Sequence, residues 1–486
     1  MARHSRDVQL TLTLPPTGTA LRHRISEAIV DAIRLGRLHP GDALPPTRAL
    51  AAELGVARAG VVEAYDELCA AGYACARPGS GTRIAPGADA AAAAGAGSHV
   101  SEGPPPVADT APAPPAPTWD LTPGSPDTDL VSPDDWRRAW RAAAAAPIQV
   151  RAPGPSGHPE LRRALAVHLR RTRGILAHPD ELVLVPGVDS ALRTLAAAAN
   201  LAGRDVAFEE PGYGSARRTL ELSGAHPRSI AVDADGLDPA LLRATDAAVY
   251  CTPAHQYPLG ARMPVTRRAE LVARAAAAGT LIIEDDYDGE FRYDVSALPA
   301  LRSIEGGREH VAYLGTASKI LSPSIRLAWL LPPPALLGRV HEALRRTGEN
   351  CCGVTGLALA RFIESGALTR HLARASRTYS ARRSALVGAL RSRPALTDRP
   401  GVELSGIEAG LHVVLQLPDG TDDAAVATDL GTRGIAVIGL GRYRSDDEGP
   451  RGLMLGYARL PETQADAVAG AITEVVGRHL DRNRRG

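Results

Sequence analysis

The sequence is almost without lysine. It holds 55 Lys and Arg residues, and because Lys319 is the only lysine, 54 of them are arginines. An amine can lose its proton and attack a carbonyl group, whereas a guanidinium group stays charged and cannot. The single lysine therefore indicates either a position that requires amine chemistry or a surface residue retained by chance. Composition leaves both interpretations open, so the residues around Lys319 must decide.

Other scarce features exclude several classes of protein. The chain has five cysteines without metal-ligand spacing, and an odd number with no signal peptide predicts a reducing cytoplasm rather than a disulfide framework. No apolar run is long enough to cross a bilayer, so we expect a soluble protein. The net charge of +1 is too small for a protein that binds nucleic acid over its whole surface, but it is compatible with a local DNA-binding patch.

Length and apolar content predict two folded units. The chain has 486 residues, of which 44% are hydrophobic, and is too long to be expected as one domain. Residues 86–118 are almost entirely Ala, Pro, Gly and small polar residues, which predicts a linker with an extended proline-rich half and a flexible or transiently helical Ala/Gly half. It separates a domain at residues 18–85 from a larger one at 119–482.

The first domain has the pattern of a winged helix. Apolar residues recur at helical spacing from Leu21 to Ile33 and stop before Gly36. The further predicted elements are a short helix Arg48–Leu54 with Thr47 as N-cap, a third helix carrying Val61, Val62, Tyr65 and Leu68, and hairpin strands at 73–76 and 82–85 around a tip at 77–81. Helix, turn, helix and hairpin in this order predict DNA binding.

The stretch GRLHPGDALPPTRALAAELGVARAGVVEAYDELCAAGYACARPGSGT resembles the GntR-type winged helix. The resemblance implies that Arg48 and Arg58 meet phosphates and base edges, and that the wing residues Gly79, Ser80, Gly81 and Thr82 enter the minor groove. Ala57, Ala59 and Gly60 stand where the family usually has Ser, Asn and Thr, which removes polar contacts. A three-helix protein-interaction domain with solvated arginines is the alternative, and the order of the motifs disfavours it.

In the larger domain, apolar runs alternate with helical stretches and predict an α/β fold. The predicted strands are 182–185, 205–208, 247–251, 281–284, 311–314 and 327–331, with a helix at 189–201. Such alternation predicts a parallel sheet covered by helices on both faces, with the chemistry at the carboxyl ends of the strands. From about residue 400, a strand-helix pattern predicts a smaller C-terminal domain.

The polar residues at these strand ends supply each group that pyridoxal 5'-phosphate needs: an amine, a carboxylate for the ring nitrogen, a donor for the phenolic oxygen, an anion cradle and a flat face. Lys319 follows Thr316 and Ser318, and Arg326 is seven residues later. The remaining candidates are Asp285 for the ring nitrogen, Tyr287 for the phenolic oxygen, Gly187, Val188 and Asp189 at a helix N-terminus for the phosphate, and Tyr213 for stacking. Singly, each has a structural explanation; together, around the only lysine, they favour a cofactor site.

Residues 120–480 resemble the fold type I aminotransferases, and the whole chain resembles a MocR-type regulator. The matching stretches are TPAHQYPLG (252–260), IIEDDYDGEFRY (282–293), YLGTASKILSPSIRLAWL (313–330) and GLMLGYARLPE (452–462). The resemblance implies that Lys319 forms the internal aldimine, that Asp285, Tyr287, Thr316, Ser318 and Arg326 contact the cofactor, and that His255 and Gln256 lie near it. It also implies a homodimer.

Other positions depart from the family or stay ambiguous. His158 stands where the family often has an aromatic phosphate contact from the partner subunit, and Ser215 stands where a related amino-acid sensor would have Arg. For a ligand carboxylate, Arg442 and Arg451 are both candidates.

The resulting hypothesis is a transcription regulator that binds promoter DNA and senses an amino acid, another amine or the cofactor itself through Lys319. An active aminotransferase with a DNA-binding appendage is the alternative, since a freed lysine can act as a general base. A third hypothesis, a cofactor-free dimerisation scaffold, conflicts with the intact set of Asp285, Tyr287, Lys319 and Arg326.

Overall fold

A computed structural model of the protein describes residues 12–14, 19–77, 81–96, 117–147, 153–293, 298–445 and 449–483. The chain divides into two compact units, Met1–Pro114 and Pro115–Gly486. No helix in the described ranges is long and apolar enough to cross a membrane.

The N-terminal unit is a winged helix. Its elements are α1 (Leu21–Arg34), α2 (Thr47–Leu54), α3 (Arg58–Ala70), β1 (Ala74–Arg77), β2 (Gly81–Ile84) and α4 (Ala88–Ala96), and β1 pairs with β2 in antiparallel register. Ile25, Ile29, Leu50 and Val61 are fully buried between the first three helices. The three helices and the hairpin therefore share one small core.

One local prediction for this unit was wrong. Thr47 is the first residue of α2 and not its N-cap; Pro46 holds that position without a side-chain cap. The Thr47 hydroxyl instead accepts a hydrogen bond from Nε of Arg58 at 3.4 Å, so it joins α2 to the start of α3. In α3, Val61 is fully buried, whereas Val62 is 36% exposed.

The predicted linker contains a helix at its start. Helix α4 lies within residues 86–118, and Ala88 and Ala92 are buried against the core of the winged helix. The physical reason is that alanine has the highest helix propensity and that small side chains allow close packing on α1. Composition alone showed low complexity here and could not show the apolar partner surface.

The C-terminal unit is built on an eight-stranded mixed sheet, the large sheet. Its strands are β4 (Val183–Val185), β5 (Asp205–Glu210), β6 (His226–Asp233), β7 (Gly236–Leu237), β8 (Ala248–Cys251), β9 (Leu281–Asp285), β10 (Val311–Thr316) and β11 (Ala328–Leu331), in the order β4-β11-β10-β9-β8-β5-β6-β7. The central strands β10, β9, β8 and β5 are parallel, as predicted, and they are joined in parallel by β6, a strand that was not predicted from the sequence.

Strand β11 departs from the predicted parallel arrangement, because it runs antiparallel to both β10 and β4. A parallel neighbour needs a crossover connection of about a dozen residues or more, usually with a long helix. Only one helical turn, α11 (Ala317–Ile320), and a short 3₁₀ turn separate β10 from β11, so the chain returns in the opposite direction. This tight return holds Lys319 and Arg326 close to the end of β10.

Helices cover both faces of the large sheet. They are α5 (Pro133–Ala144), α6 (Pro159–Arg173), α7 (Val188–Ala198), α8 (Gly214–Leu222), α9 (Val265–Ala278), α10 (Gly307–His310), α12 (Pro334–Thr347) and α13 (Gly353–Glu364). Leu192 and Leu195 of α7 share one apolar cluster with the sheet, while Leu271 and Val272 of α9 share another. The two clusters give the layered α/β arrangement.

A second, four-stranded antiparallel sheet, the small sheet, follows in the chain. It consists of β12 (Glu403–Ser405), β13 (His412–Leu417), β15 (Ile438–Gly439) and β16 (Arg451–Gly456), and β14 (Ile435–Ala436) pairs separately with β3 (Trp119–Asp120). The accompanying helices are α14 (Ala367–Arg391), α15 (Pro394–Thr397), α16 (Asp423–Thr432) and α17 (Ala465–Asn483). Pairing of β3 with β14 joins the start of this unit to its C-terminal part.

Candidate functional site

A cavity of about 210 Å³ lies at the carboxyl ends of the strands of the large sheet. Ten residues predicted from the sequence line it: Gly187, Val188, Asp189, Tyr213, Asp285, Tyr287, Thr316, Ser318, Lys319 and Arg326. Five further residues line it that the sequence interpretation did not include: Gly124, Tyr250, Thr252, Tyr257 and Pro323. The predicted groups therefore come together in one place.

Asp285 is the last residue of β9, and only one of its two carboxylate oxygens has a hydrogen-bond partner among the described residues. The hydroxyl of Tyr250 donates to Oδ2 at 2.6 Å, whereas Oδ1 is buried and has no hydrogen-bond partner among the described residues. Burial raises the pKa of Asp285 to about 7, although the Tyr250 hydrogen bond and the charge of Lys319 act in the opposite direction. An unpartnered buried oxygen requires an explanation, and a donor bound in the cavity supplies one.

Lys319 lies in the single turn α11, directly after β10. Its Nζ donates a hydrogen bond to the carbonyl oxygen of Gly124 at 2.9 Å. Burial lowers the pKa of Lys319, and the carboxylates of Asp285 and Asp288 act against that shift. A lowered pKa makes the neutral, nucleophilic amine more accessible near neutral pH.

Gly124 provides the space for this amine. Its φ is +78°, and a Cβ at this position would lie 2.8 Å from Nζ of Lys319. Any other residue would therefore combine a left-handed backbone with a steric clash against the amine.

An anion cradle lies at the N-terminus of α7. Gly187 is the N-cap residue with φ +145°, and a Cβ there would come within 3.4 Å of Nη2 of Arg326. Arg326 itself has φ +49°, an uncommon value for a residue with a side chain. The hydroxyl of Thr316 accepts a hydrogen bond from the Ser318 amide at 3.1 Å. A helix N-terminus, a guanidinium group and two hydroxyls suit a phosphate dianion.

Tyr287 lines the cavity, and His255 lies behind it. The Tyr287 hydroxyl and Nδ1 of His255 are 2.9 Å apart, and the same Nδ1 is 2.8 Å from Oδ2 of Asp288. His255 was predicted to lie near the cofactor, but it is outside the set of residues that line the cavity. Its contact with the cavity passes through Tyr287.

Gln256, the other residue predicted near the cofactor, does not line the cavity either. Its side-chain amide donates to the carbonyl oxygens of Pro211 at 2.9 Å and Tyr257 at 2.8 Å, and its Oε1 accepts from the Leu259 amide at 2.9 Å. These bonds tie together two loops of the site wall. Gln256 thereby holds Tyr257, which does line the cavity.

The two candidate arginines for a ligand carboxylate occupy different surroundings. Arg442 is exposed on the 3₁₀ turn Leu440–Tyr443, where its charge lowers the pKa values of Tyr257 and Tyr443 against the upward effect of burial. The hydroxyls of these two tyrosines are hydrogen-bonded at 2.9 Å. Arg451 begins β16 opposite Leu417. Neither arginine lines the cavity, but Arg442 contributes to the electrostatics of Tyr257, which does.

Ser215 and His158 also lie outside the set of residues that line the cavity. The hydroxyl of Ser215 donates to Oδ1 of Asp189 at 3.2 Å, so it contacts the cavity wall from behind. His158 is the N-cap residue of α6 and is 4% exposed, and its Nδ1 has no hydrogen-bond partner in the described part of the chain. Burial lowers the pKa of His158.

In the N-terminal unit, the predicted DNA-contacting arginines are both exposed. Arg48 lies in α2 and Arg58 begins α3, with Gly55 in a left-handed conformation at the turn between the helices. Of the four wing residues, Gly81 and Thr82 begin β2, while Gly79 and Ser80 lie outside the described residues. Exposed guanidinium groups at the second and third helices are available for phosphate and base-edge contacts.

Some site residues had a weak signal in the sequence and others had none. Tyr250 is a hydroxyl-bearing residue in an otherwise apolar strand, and its pairing opposite Ile283 brings it beside the strand that ends in Asp285. That signal could have been read from the strand prediction. Gly124 is 195 residues from Lys319 along the chain, so no local pattern connects them.

The site fits pyridoxal 5'-phosphate on the observed contacts. A buried amine, an unpartnered carboxylate oxygen and an anion cradle that a Cβ at Gly187 would narrow all face one cavity. These are the groups that the aldehyde, ring nitrogen and phosphate of that cofactor require.

Two protein-family models match the chain. The family described as "Aminotransferase class I and II" matches residues 118–472, and "Bacterial regulatory proteins, gntR family" matches residues 21–84. One match falls in each compact unit, and the low-complexity residues 85–117 lie outside both matches.

Curated relatives match almost the whole length of the chain. The chain is 35% identical over 472 residues to the HTH-type pyridoxine biosynthesis transcriptional regulator PdxR of Corynebacterium glutamicum, covering 95% of this chain and 97% of the relative. It is 30% identical over 462 residues to the probable rhizopine catabolism regulatory protein MocR of Rhizobium meliloti, covering 92% of each.

Among solved structures, the chain is similar to LysN, the α-aminoadipate aminotransferase of Thermus thermophilus, with a TM-score of 0.67 and 21% identity. The similarity covers 74% of this chain and 92% of that chain, and that structure contains N-(5'-phosphopyridoxyl)-L-leucine. At this identity the similarity shows the fold, which is that of the fold type I aminotransferases.

Proposed function

Because the chain belongs to the MocR-type regulators, with a gntR-family winged helix before a class I and II aminotransferase domain, we propose that an effector bound at Lys319 controls its binding to promoter DNA. The family makes the protein a DNA-binding transcription regulator, and its cofactor is pyridoxal 5'-phosphate. The observation that carries the proposal is the unpartnered Oδ1 of Asp285, which shares one buried cavity with the only lysine.

When bound, pyridoxal phosphate supplies an aldehyde that reacts with amines and a ring that withdraws electrons. The protein supplies the rest. We assign Lys319 as the residue to which the cofactor would be covalently attached. We assign Oδ1 of Asp285 as the partner of the ring nitrogen, because a nearby carboxylate would keep that nitrogen protonated. Tyr287 would donate to the phenolic oxygen, and Tyr213 would provide a flat face for stacking.

The phosphate belongs, in this proposal, at the N-terminus of α7. The backbone N–H groups of Val188 and Asp189, the guanidinium group of Arg326, and the hydroxyls of Thr316 and Ser318 are its ligands. A doubly charged anion is stabilised there by the helix dipole and by charge-assisted hydrogen bonds.

The effector is proposed to be an amino acid, another amine, or the cofactor itself. For an effector with a carboxylate we favour Arg442 over Arg451, because the Arg442 charge acts on Tyr257 in the cavity wall. Arg442 directly precedes Tyr443, whose hydroxyl is hydrogen-bonded to that of Tyr257, and a guanidinium group can bind a carboxylate in bidentate fashion. A ligand that lacks the carboxylate would not need this residue.

We further propose that the protein acts as a homodimer in the cytoplasm. Two winged helices joined in one dimer bind repeated half-sites more tightly than either alone, because the second binding event has a high effective concentration. The cytoplasmic assignment follows from the DNA partner, and a dimer predicts an operator with two half-sites.

The test is a gel shift with DNA from upstream of the chain's own gene, with and without pyridoxal phosphate. Wild type should bind, and its affinity should change with cofactor; Lys319→Ala should bind DNA without that response. Arg48→Ala combined with Arg58→Ala should lose binding and reduce the salt slope by about two. Arg34→Ala, an exposed arginine of α1 paired with Asp31, is the control that should bind normally.

Undiminished DNA binding by the Arg48 and Arg58 double variant contradicts the winged-helix assignment. Equal responses of wild type and Lys319→Ala to the cofactor contradict the assignment of the sensor.

An aminotransferase is the second candidate, because burial lowers the pKa of Lys319 and a neutral amine can act as a general base. Sustained turnover of an amino acid with a keto acid, at about 1 s⁻¹ or faster, would favour the enzyme. A single half-reaction that stops would favour the regulator.

A further inference from the structure

His255 and Asp288 form a buried pair behind the wall of the cavity. Nδ1 of His255 lies 2.8 Å from Oδ2 of Asp288 and 2.9 Å from the hydroxyl oxygen of Tyr287. Both side chains are 1% exposed, and neither lines the cavity, whereas Tyr287 does. The pair therefore acts on a bound group through Tyr287.

The charge of Asp288 determines that Nδ1 of His255 carries a hydrogen. Burial would raise the pKa of Asp288, but the charge of His255, its hydrogen bond and the charge of Arg292 outweigh burial and hold the pKa below its ordinary value. An ionised carboxylate can only accept, so Nδ1 carries a hydrogen whether the imidazole is neutral or protonated. That hydrogen lies between Asp288 and the Tyr287 oxygen.

The role of the Tyr287 hydroxyl then follows from counting hydrogens. Because Nδ1 of His255 donates, the Tyr287 oxygen can only accept in this contact, and its own hydrogen is not used there. Burial raises the pKa of Tyr287 well above its ordinary value, so the side chain remains a phenol. Since the O–H is not used in this contact and Tyr287 lines the cavity, the O–H is available to a group bound there.

The backbone leaves room for the imidazole ring on both sides. Gly260 and Gly410 have φ values of +79° and +72°. A Cβ on Gly410 would lie 2.2 Å from Cε1 of His255 and 2.5 Å from Oδ2 of Asp288, and a Cβ on Gly260 would lie 3.3 Å from Nε2. The ring of His412 is 5.1 Å away, and burial lowers the pKa of His412 to about 4, so it adds no charge near neutral pH.

We propose that Asp288 and His255 are positioning residues that make Tyr287 a hydrogen-bond donor toward the cavity. This inference rests on the proposed function, since the acceptor is the phenolic oxygen of pyridoxal phosphate. A donor at that oxygen stabilises its negative charge and lowers the proton affinity of the nitrogen that joins the cofactor to Lys319. The pH dependence of the visible absorbance of the holoprotein reports that affinity as a spectral pKa.

The test is a double-mutant cycle on the spectral pKa. Tyr287→Phe should raise it by roughly one to two units, the shift that follows from losing one hydrogen bond to a charged oxygen. Asp288→Asn should raise it by at least about half a unit and should add nothing to Tyr287→Phe, because both act on the same hydrogen bond. Glu284→Gln is the matched control: this buried carboxylate accepts from the Leu301 amide, does not line the cavity, and should leave the spectral pKa unchanged.

Two further variants keep the inference testable if Asp288→Asn does not fold. His255→Asn keeps an amide N–H near the position of Nδ1 and should preserve most of the wild-type spectral pKa. His255→Leu is similar in size without the N–H, and it should shift the spectral pKa upward. Restoration by asparagine distinguishes hydrogen-bond donation from simple filling of space.

The outcomes separate this inference from the proposed function. A wild-type spectral pKa in both Asp288→Asn and His255→Leu, together with a shifted Tyr287→Phe, overturns the inference alone. Additive shifts in the double variant also overturn it. A wild-type protein without a visible band, when supplied with pyridoxal phosphate, overturns both.

Discussion

Replacing Asp285 by asparagine should change stability and cofactor affinity in opposite directions. Burial raises the pKa of the Asp285 carboxyl to about 7 in the folded protein, against an ordinary value of 3.8. Between these two values the cofactor-free folded protein holds a proton that the unfolded chain has lost. Because the unfolded state binds fewer protons there, the free energy of unfolding falls as the pH rises through this range.

The size of the stability effect follows from the pKa difference. At about 1.4 kcal/mol per unit, a shift from 3.8 to about 7 amounts to about 4 kcal/mol at pH values above both. Asparagine removes the charge and keeps an oxygen that can accept from Tyr250. Cofactor-free Asp285→Asn should therefore be more stable than wild type by about 2–4 kcal/mol near pH 8, and the two should converge near pH 4.

For cofactor binding, the same substitution should have an unfavourable effect. In the proposed complex, a protonated ring nitrogen pairs with Oδ1 and would lose its counter-charge in the variant, and breaking a buried charge pair costs about 3–5 kcal/mol. The affinity for pyridoxal phosphate should fall roughly 100-fold or more. On this proposal, one carboxylate destabilises the cofactor-free protein and stabilises the complex.

Denaturant unfolding of the cofactor-free proteins across this pH range measures the first effect, and titration of the visible absorbance with pyridoxal phosphate measures the second. Glu284→Gln is the control: burial also raises the pKa of Glu284 to about 7, but Glu284 does not line the cavity. Because both oxygens of Glu284 accept from backbone amides, of Leu301 and of Arg302, this variant controls for cofactor binding alone, and it should bind the cofactor normally. An Asp285→Asn protein that is less stable than wild type near pH 8, or that binds the cofactor as tightly, refutes the reasoning.

Three further variants test other parts of the structure. Gly187→Ala should lower the affinity for pyridoxal phosphate about tenfold in absorbance titrations, because the added Cβ would lie 3.4 Å from Nη2 of Arg326. The affinity for pyridoxal, which has no phosphate, should change little. Equal losses of affinity for the two compounds would argue against a phosphate cradle. Arg442→Gln should weaken the spectral response to an amino acid by roughly tenfold, and Arg451→Gln should not; the reverse order would reassign the carboxylate contact. Ala92→Asp should destabilise the winged helix by about 3 kcal/mol or more, since Ala92 is fully buried; gel shifts should lose DNA binding while the cofactor band persists.

The site residues that could be predicted from the sequence are those at the ends of predicted strands. Asp285 ends an apolar strand, and Lys319 follows another among small hydroxyl residues, so the sheet rule alone brings them to one edge. Gly187 was readable in the same way, as the turn between β4 and α7. These positions need only the knowledge that parallel strands end together.

Other parts of the site depend on contacts between distant segments. The backbone oxygen of Gly124 accepts a hydrogen bond from the Lys319 amine, although the two residues are 195 positions apart. No sequence periodicity could predict that contact. The sequence motif that contains His255 correctly placed this residue near the site. However, its Nδ1 contacts Asp288 and the hydroxyl of Tyr287, so the ring lies behind Tyr287 and not in the cavity wall. Proximity was predictable, whereas the direction of the side chain depends on the space that Gly260 and Gly410 leave.

The cavity shares groups with the C-terminal part of the unit, through which a ligand response can leave it. The turn after β15 provides such groups. The Tyr443 hydroxyl bonds to that of Tyr257 at 2.9 Å, and the Tyr443 carbonyl oxygen accepts from the Gly212 amide at 3.0 Å. Ser445 donates through its amide and its hydroxyl to Glu210 at 2.9 and 2.7 Å.

Glu210 and Gly212 belong to the segment that leads from β5 to Tyr213, so the turn contacts both the wall of the cavity and the chain that positions one of its aromatic rings. A ligand can shift the position of this turn only by as much as it binds one arrangement better than another. An effector that contacts Tyr257 or Arg442 has such a difference, because both lie at or beside the turn. An effector confined to the phosphate cradle contacts neither, and it would have to act through the occupancy of Lys319 itself. The dependence of the DNA response on Arg442 therefore distinguishes a regulator that senses an amino acid from one that senses its own cofactor.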